Sequence, residues 1–348
     1  MSYFHLNLIL KGKLTVCCLL MLPAIPLNAQ REAKQIGDFK ESISLNEHLR
    51  GTKRTLQYRP DGDEFVCVNG KNRYTRALYG SHSPFRVETS DRPVFAFYNN
   101  GRGGNISFKV ILRDGTELAL DCTGHCESRY SAGKRTYYLT DPSWGKGELR
   151  ISVLALADMD GAIWRFSASN MPKGAILRWQ HGGATGKRLS RNGDMGVDPA
   201  DCFELPAEAA DLVTGELPLQ KEAYLVRGEV PEQSNARKLY QKAEAASLAL
   251  ASRLKIETPD PYLNTLGGAL VAAADGIWDG QVWLHGAIGW RMPLSGWRAG
   301  YTGDALGWHD RARTHFDAYA ASQVTDVPNT IPHPAQDSTM NLARSEKR

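Results

Sequence analysis

Apolar and polar residues alternate along much of the chain between about 55 and 228, which is typical of β-strands with one face in a core. The clearest example is 105–112, where a turn and a second apolar run follow and complete a hairpin. The segment 148–169 repeats this arrangement. Many short strands joined by turns predict an antiparallel β-sandwich, which we assign to residues 30–230.

The period of the apolar residues changes from two to about 3.6 after Pro231. The segment 234–257 is rich in Ala, Leu and Lys at helical spacing, and Ser234 is a suitable N-cap. This pattern predicts a linker helix within residues 231–258.

A second helix is expected to begin at Asp260, a natural N-cap that Pro261 follows at the first helical position. Its apolar stripe consists of Leu263, Leu266, Leu270, Ala274 and Ile277. A loop rich in Trp and Gly comes next, and a further helix is predicted with Asp304 at its N-cap. We therefore expect an αα-hairpin in residues 259–348, which gives a multidomain β plus α chain.

The N-terminal residues have the layout of a signal peptide. Lys11 and Lys13 precede an apolar run that ends near the small residue Ala29 and is short for a membrane span. Residues 1–29 are expected to be removed on export, which predicts a periplasmic or extracellular protein without a membrane contact. The net charge then falls from +4 to about +2, which argues against a nucleic-acid partner.

Four cysteines follow the predicted signal peptide: Cys67, Cys122, Cys126 and Cys202. Export permits disulfides, and the close spacing of Cys122 and Cys126 is compatible with one local disulfide or with free thiols. His125 lies between these two, but a zinc site needs further ligands at suitable spacing. We expect neither a metal site nor a cofactor.

Residues 282–310 contain an unusual concentration of Trp, Gly, His and Asp. Aromatic faces can stack on sugar rings while polar side chains bind hydroxyls, and binding residues often lie on loops held by rigid helices. Trp308 lies on the apolar face of the last helix and is expected to pack in a core. Asp304 is open to two interpretations, a helix N-cap or a ligand contact. The candidate carbohydrate-binding residues are Trp283, His285, Trp290, Trp297, Arg298, Tyr301 and Asp304.

The sequence RAGYTGDA at 298–305 resembles the R-x-G-(W/Y)-x-G-D-A signature of six-hairpin glycosidases, especially the α-L-rhamnosidase-like members. The segment from about 260 to 348 also resembles the start of the catalytic domain in an uncharacterised family of large exported bacterial polysaccharide-degrading proteins. The resemblance implies a β-sandwich before an (α/α)6 toroid. It also implies that Asp304 contacts sugar hydroxyls and is the candidate catalytic carboxyl group, and that Arg298 shapes the same pocket.

The residues before the signature depart from the rhamnosidase pattern. Those enzymes have Arg-Asp-Glu there, with the glutamate as general acid, whereas this chain has Ser295, Gly296 and Trp297. Glycoside hydrolysis uses two carboxyl groups, and Asp279 and Asp310 are poorer alternatives to Asp304. The general acid is therefore expected elsewhere, and rhamnose is not implied as the substrate.

One hairpin cannot form a six-hairpin toroid. We expect the chain to be the N-terminal portion of an exported glycoside hydrolase acting on plant- or host-type polysaccharide or oligosaccharide, which by itself binds sugar weakly without turnover. One alternative is a polysaccharide lyase that abstracts a proton with Tyr301, His285 and Arg298. A second alternative is a non-catalytic carbohydrate-binding protein, for which we expect the 260–320 hairpin to resist proteases.

Overall fold

The computed structural model describes residues 8–10, 14–16, 57–83, 85–99, 102–188, 212–219, 222–284 and 293–321. Most of them form antiparallel β-sheets, followed by helices, so the predicted change from β to α structure is confirmed. In chain order the strands are β1 (Leu8–Leu10), β2 (Leu14–Val16), β3 (Arg59–Asp61), β4 (Glu64–Val68), β5 (Arg76–Leu78), β6 (Arg86–Thr89), β7 (Phe95–Asn99), β8 (Arg102–Ile111), β9 (Glu117–Ala119), β10 (His125–Ser131), β11 (Lys134–Thr140), β12 (Glu148–Ala155), β13 (Gly161–Ser169), β14 (Ile176–Arg188), β15 (Val213–Pro218) and β16 (Glu222–Gly228). The helices are α1 (Ala236–Ala251), α2 (Pro261–Gly276), α3 (Pro293–Ala305) and α4 (His309–Ala321).

Two seven-stranded antiparallel sheets contain most of the strands, and we call them together the double-sheet unit. The first sheet has the strand order β16-β13-β12-β11-β10-β4-β3. The second has the order β15-β14-β8-β7-β6-β5, with β9 paired to β8. Strands β1 and β2 form a separate two-stranded sheet. The hairpins predicted around 105–112 and in 148–169 are confirmed as β8–β9 and β12–β13.

The two sheets share one hydrophobic core. Trp164 of the first sheet is fully buried, and its ring centroid lies 5.6 Å from that of Phe95 and 6.1 Å from that of Phe108, both in the second sheet. Ile106 and Val110 are buried on the same side of β8 as Phe108, as the alternating pattern predicts. Aromatic side chains of this size bury the largest apolar areas in a core, so this contact stabilises the pairing of the sheets.

A buried ion pair lies beside this core. The Asp91 carboxylate is fully buried and accepts hydrogen bonds from the Gln57 amide at 2.7 Å, the Tyr58 hydroxyl at 2.5 Å and the Asn72 backbone N–H at 2.9 Å. Asp91 Oδ1, which accepts the Tyr58 hydrogen bond, also lies 3.5 Å from Nη2 of Arg135, which is 1% exposed. A buried carboxylate requires such partners, because burial removes its hydration.

Helix α1 covers the outer face of the first sheet. Tyr240 of α1 packs against Leu154 and Ile163, whose side chains point away from the shared core of the two sheets. Strand β12 is therefore buried on both faces over 151–155. This covering explains why the alternation of apolar and polar residues is weaker in β12 than in β8.

The predicted helix starts are close to those in the structure. Asn235 rather than Ser234 caps α1, because the Asn235 side chain accepts the third backbone N–H of the helix. Asp260 caps α2 through the backbone N–H of Tyr262 at 2.8 Å, and Pro261 occupies the first helical position. The predicted N-cap of α2 is therefore confirmed, and the predicted N-cap of α1 was wrong by one residue.

The apolar stripe predicted for α2 is not its buried face. Leu263 and Leu270 are 47% and 50% exposed, whereas Val271 is fully buried. A Cβ added at Gly267 would lie 2.9 Å from the backbone oxygen of Leu254, so α2 approaches the chain after α1 through its small residues. Close approach of the backbones leaves the larger leucines outside the contact.

The described part of the predicted hairpin segment contains three helices, where we expected two helices joined by a loop. Helix α3 occupies a stretch that we expected to be a loop, and α4 begins at His309. Asp304 therefore lies in the last turn of α3, and its assignment as the N-cap of the following helix was wrong. Whether these helices belong to a toroid stays a prediction.

The described helices are short. The longest, α1 and α2, contain 16 residues each. Over the described ranges, we find no helix with both the length and the apolar character needed to cross a membrane.

Candidate functional site

Three tryptophans form a small core between α2, α3 and α4. Trp278 and Trp283 face each other across an isolated antiparallel bridge, with ring centroids 4.7 Å apart, and Trp308 packs against the same cluster. Trp283 is 1% exposed, and its indole N–H donates to the backbone oxygen of Ala274 at 2.9 Å. In this structure Trp283 is thus a packing residue. Neither face of its ring is open to a sugar, which does not fit the predicted role in sugar contact. The core position expected for Trp308 agrees with its place in the cluster.

His315 anchors α4 to this tryptophan cluster. Its ring is fully buried, and its Nδ1 accepts the backbone N–H of Trp283 at 3.0 Å. Because Nδ1 accepts this hydrogen bond, the neutral ring carries its proton on Nε2. The bond holds the Trp278–Trp283 bridge against α4, so it fixes the position of α4 relative to Trp283.

Two glycines of the signature RAGYTGDA bring α3 close to this cluster. A Cβ at Gly303 would lie 2.0 Å from Cη2 of Trp283, and a Cβ at Gly300 would lie 2.6 Å from Cζ of Phe316. Both distances are shorter than carbon atoms can approach, so any larger residue would force the elements apart. The glycines of the signature are therefore packing residues.

The polar residues of the signature lie on a different side of α3 from its glycines, although the Tyr301 ring also approaches Phe316, with ring centroids 5.7 Å apart. Arg298, Tyr301 and Asp304 are three residues apart, which places them along one side of a helix. All three are exposed, and Tyr301 is 60% exposed. We call these three residues the α3 face. The structure thus brings together three of the residues that the sequence indicated for sugar binding.

Asp304 forms a hydrogen bond with His309 at the beginning of α4. The distance from Asp304 Oδ1 to His309 Nδ1 is 2.5 Å, and both side chains are more than half exposed. Asp304 lies near the C-terminal end of α3, where the helix dipole disfavours a negative charge. Helix stability alone therefore does not account for an aspartate at this position.

A second group of polar residues joins the helices to the double-sheet unit. The Asp275 carboxylate, 17% exposed, accepts a hydrogen bond from Arg311 Nη1 at 2.7 Å and lies 3.3 Å from His82 Nε2. Burial raises the pKa of Asp275, but the hydrogen bonds from His82 and Arg311 outweigh it and hold that pKa below its ordinary value. The Arg311 guanidinium also lies over the rings of Trp308, at 4.7 Å, and Trp278, at 5.7 Å.

The sequence analysis missed this group. Asp275 is part of an apolar, Ala-rich helix end, and His82 is about 190 residues away along the chain. No spacing rule connects positions so far apart. The available signal was a charged residue in an otherwise apolar helix face, which often has a buried partner.

A cavity of about 390 Å³ lies beside Asp275, between the double-sheet unit and the helices. Its wall consists mainly of small residues of α1, α2 and β12, together with several polar side chains. These polar lining residues include Arg76, Tyr79, His82, Ser247, Asp275 and Arg311. Burial raises the pKa of the Tyr79 hydroxyl well above its usual range, so this group stays protonated as a hydrogen-bond donor.

The other predicted site residues are dispersed. Trp297 lies on α3 rather than in a loop, and His285 and Trp290 lie outside the described residues. The Asp279 carboxylate accepts the backbone N–H groups of the turn that follows it, which is a structural role. Asp310 is an exposed residue in the first turn of α4.

The cysteines take no part in this region. Cys67, Cys122 and Cys126 are free thiols, and Cys67 and Cys126 are buried, whereas Cys202 lies outside the described residues. Burial raises the pKa of the Cys126 thiol to about 12, so this group is inert at neutral pH. In the described ranges, no three His, Cys, Asp or Glu side chains are arranged to hold a metal ion.

Comparison with known families adds a similarity in the double-sheet unit. Residues 100–217 match a family model described as a domain of unknown function (DUF4450). This match extends from β8 into β15 and includes none of the four helices. A search of curated proteins found no significant match. The chain is therefore similar over about a third of its length to a family without an assigned activity.

Proposed function

We propose that the chain is part of an exported glycoside hydrolase and that the α3 face binds its carbohydrate substrate. The observation that carries this proposal is the division of the signature between the two sides of α3. Its glycines pack against Trp283 and Phe316, while Arg298, Tyr301 and Asp304 are exposed.

The chemistry of the α3 face suits a sugar. Asp304 accepts hydrogen bonds from hydroxyl groups, Arg298 donates them, and Tyr301 offers both a ring face and a hydroxyl. Arg298 and Asp304 lie one on each side of Tyr301 along the helix, so a sugar on the ring could contact both. His309 contacts one oxygen of the Asp304 carboxylate and leaves the other open to a ligand.

The α3 face also suits a positioning role better than catalysis by itself. Hydrolysis of a glycosidic bond needs a protonated carboxyl group as well as an ionised one, and the α3 face contains a single carboxylate, that of Asp304. We therefore assign Asp304 to sugar binding and expect the general acid on another element.

The test is oligosaccharide binding by the purified chain, measured by calorimetry or NMR titration. We expect Asp304→Asn and Arg298→Ala each to lower affinity by about tenfold, because each removes a charge-assisted hydrogen bond. Arg313→Ala and Asp317→Asn are matched controls, since both residues are exposed on the neighbouring helix α4. We expect these controls to bind as the natural sequence does.

Two results would overturn the proposal. One is equal loss of affinity in the α4 controls and the α3 variants, which would indicate a general charge effect. The other is unchanged affinity in both α3 variants with their folding intact. An unsaturated product from uronate-containing substrates would instead indicate a lyase.

A further inference from the structure

A second candidate binding site lies on the double-sheet unit, far along the chain from the α3 face. It is a cleft of about 550 Å³ on the outer side of the second sheet, and we call it the basic cleft. Its lining includes Lys71, Arg73, Arg92, Asn105, Ser107 and Gln180. A volume of this order is typical of sites for small ligands.

The floor of the basic cleft is a row of neutral polar groups. Ile106 and Phe108 point into the core, so Asn105 and Ser107 point outward from β8. Gln180 on β14 lies directly opposite Ser107 in the sheet register. The row therefore offers two amides and a hydroxyl on one surface.

These floor groups are available to a ligand. Asn105 is only 6% exposed, yet within the described part of the chain no hydrogen bond joins its amide to another residue. The side chains of Ser107 and Gln180 likewise have no partner among the described residues. The Asn105 amide is not among the enclosed unsatisfied groups of the described residues, so it is open to the cleft and can bond to water or to a ligand there.

Positive charge lines one side of this floor. Arg92 donates from Nη1 to the backbone oxygens of Asp121 at 3.0 Å and Thr123 at 2.8 Å, which fixes its guanidinium without a carboxylate. Lys71 is exposed at the rim, and across the described ranges neither Lys71 nor Arg92 has an ion-pair partner. The Asp121 side chain is the carboxylate that lines the cleft, against three cations. Hence the cleft favours an anion.

We propose that the basic cleft binds an acidic sugar residue, which carries a carboxylate or a sulfate group. The fixed Arg92 and the exposed Lys71 would bind the anionic group, and the floor of Asn105, Ser107 and Gln180 would bind ring hydroxyls. A small inorganic anion would use the cations but leave the floor groups unpaired. The choice of a sugar rests on the proposed function, whereas the preference for an anion rests on the cleft alone.

The test compares four ligands by calorimetry with the whole chain: tetragalacturonate, a sulfated chondroitin tetrasaccharide, neutral cellotetraose and inorganic sulfate. We expect binding of at least one acidic oligosaccharide, weakened by added salt, because the pairing is partly exposed. We expect Lys71→Ala and Gln180→Ala each to lower that affinity by about tenfold or less. The preferred acidic ligand distinguishes a carboxylate from a sulfate group.

Lys109→Ala is the matched control. Lys109 is on the same strand and face as Ser107, but it lies outside the cleft lining and pairs with Glu117 at 3.4 Å. This variant should bind acidic oligosaccharides as the natural sequence does. Lys71 is exposed and Gln180 is a partly exposed sheet residue, so both substitutions should leave the fold intact, which circular dichroism checks.

Three outcomes would overturn the inference: neutral and acidic oligosaccharides bind equally well, inorganic sulfate competes as strongly as the acidic oligosaccharides, or Lys71→Ala and Gln180→Ala bind normally. If Asp304→Asn weakens binding while Lys71→Ala does not, the inference fails and the proposed function stands. If Lys71→Ala weakens binding while both α3 variants do not, the basic cleft stands and the assignment of the α3 face fails.

Discussion

Gly303 shows how a single residue determines the packing of α3. In an exposed helix position, replacing glycine by alanine stabilises the helix by roughly 0.5–1 kcal/mol. Here the added Cβ would lie 2.0 Å from Trp283, which is itself 1% exposed and packed against Trp278. We therefore expect Gly303→Ala to lower the free energy of unfolding by roughly 1–3 kcal/mol, measured by urea denaturation.

The sign of this change is the informative result. Thr302→Ala is a suitable control, because Thr302 is exposed on the same helix turn and its hydroxyl bonds to the backbone oxygen of Arg298 within its own helix. That variant should have nearly the unfolding midpoint of the natural sequence. Stabilisation by Gly303→Ala would show that α3 and Trp283 are not in contact in solution.

Tryptophan is the residue type for which sequence interpretation was weakest. A cluster of Trp near Gly, His and Asp is typical of a sugar site, and the same composition is typical of a small core that needs large rings. Trp278, Trp283 and Trp308 form such a core. Periodicity identified Trp308 because it lies in a regular helix. For Trp283 it gave no information, because the neighbouring chain has no regular period.

At the level of elements, the strands and helices were predictable to different degrees. Strand β8 was clear because one of its faces is solvated, and α2 was clear because Asp260 and Pro261 define its start. The pattern of strand β10 is weaker, since its inward residues include Cys126 and Ser128, which are not strongly apolar. Helix α3 was taken for a loop because its glycines oppose helix formation, and packing against Trp283 overrides that preference.

The α3 face was predictable for a different reason. A local motif carries Arg298, Tyr301 and Asp304 together, so no long-range information was needed to group them. The basic cleft and the Asp275 group each combine residues from distant segments. Only the register of the sheets and the docking of the helices bring those residues together.

The Asp275 group predicts a specific pH dependence for the contact between α2, α4 and the double-sheet unit. The pKa of Asp275 is lowered in the folded chain from an ordinary value of 3.8. A carboxyl group of this kind stabilises the fold fully above its unfolded pKa and loses that contribution as pH falls through the folded pKa. We expect the free energy of unfolding to fall as pH decreases below about 4, because protonation of Asp275 removes its favourable contacts with His82 and Arg311.

Asp275→Asn provides the measurement of that contribution. Asparagine keeps the shape of the side chain but has no charge to lose, so the variant should be less stable at neutral pH and less sensitive to acid. Urea denaturation across the acidic range compares the two pH slopes. Parallel slopes would contradict the assignment, and Asp310→Asn, an exposed α4 residue, serves as the control.

At the scale of the whole molecule, the helices are attached to the double-sheet unit at several points. The Thr265 hydroxyl donates to the backbone oxygen of Gly62 at 2.8 Å, and Asp275 contacts His82. Gly276 packs directly on Tyr79. These contacts with the sheets determine which side of α2 is buried. The predicted apolar stripe of α2 is therefore not the side that packs in a core.

Gly276 tests whether this attachment makes the two parts unfold together. A Cβ at Gly276 would lie 2.2 Å from Cδ2 of Tyr79, so Gly276→Ala should push the end of α2 away from the sheets. Alanine favours the helix itself, and the change leaves the core around Trp164 untouched. We expect faster amide hydrogen exchange in α2 and α4, with little change in β12 and β13.

Two further variants sharpen this measurement. Leu270→Ala changes a half-exposed residue of the same helix and should leave exchange in α2 nearly unchanged. Adding Tyr79→Ala to Gly276→Ala removes the ring that the new Cβ meets, so the two changes should be less disruptive together than their separate effects predict. Equal acceleration of exchange in the sheets and the helices would instead mean that the chain unfolds as one unit, with Gly276 contributing to its overall stability.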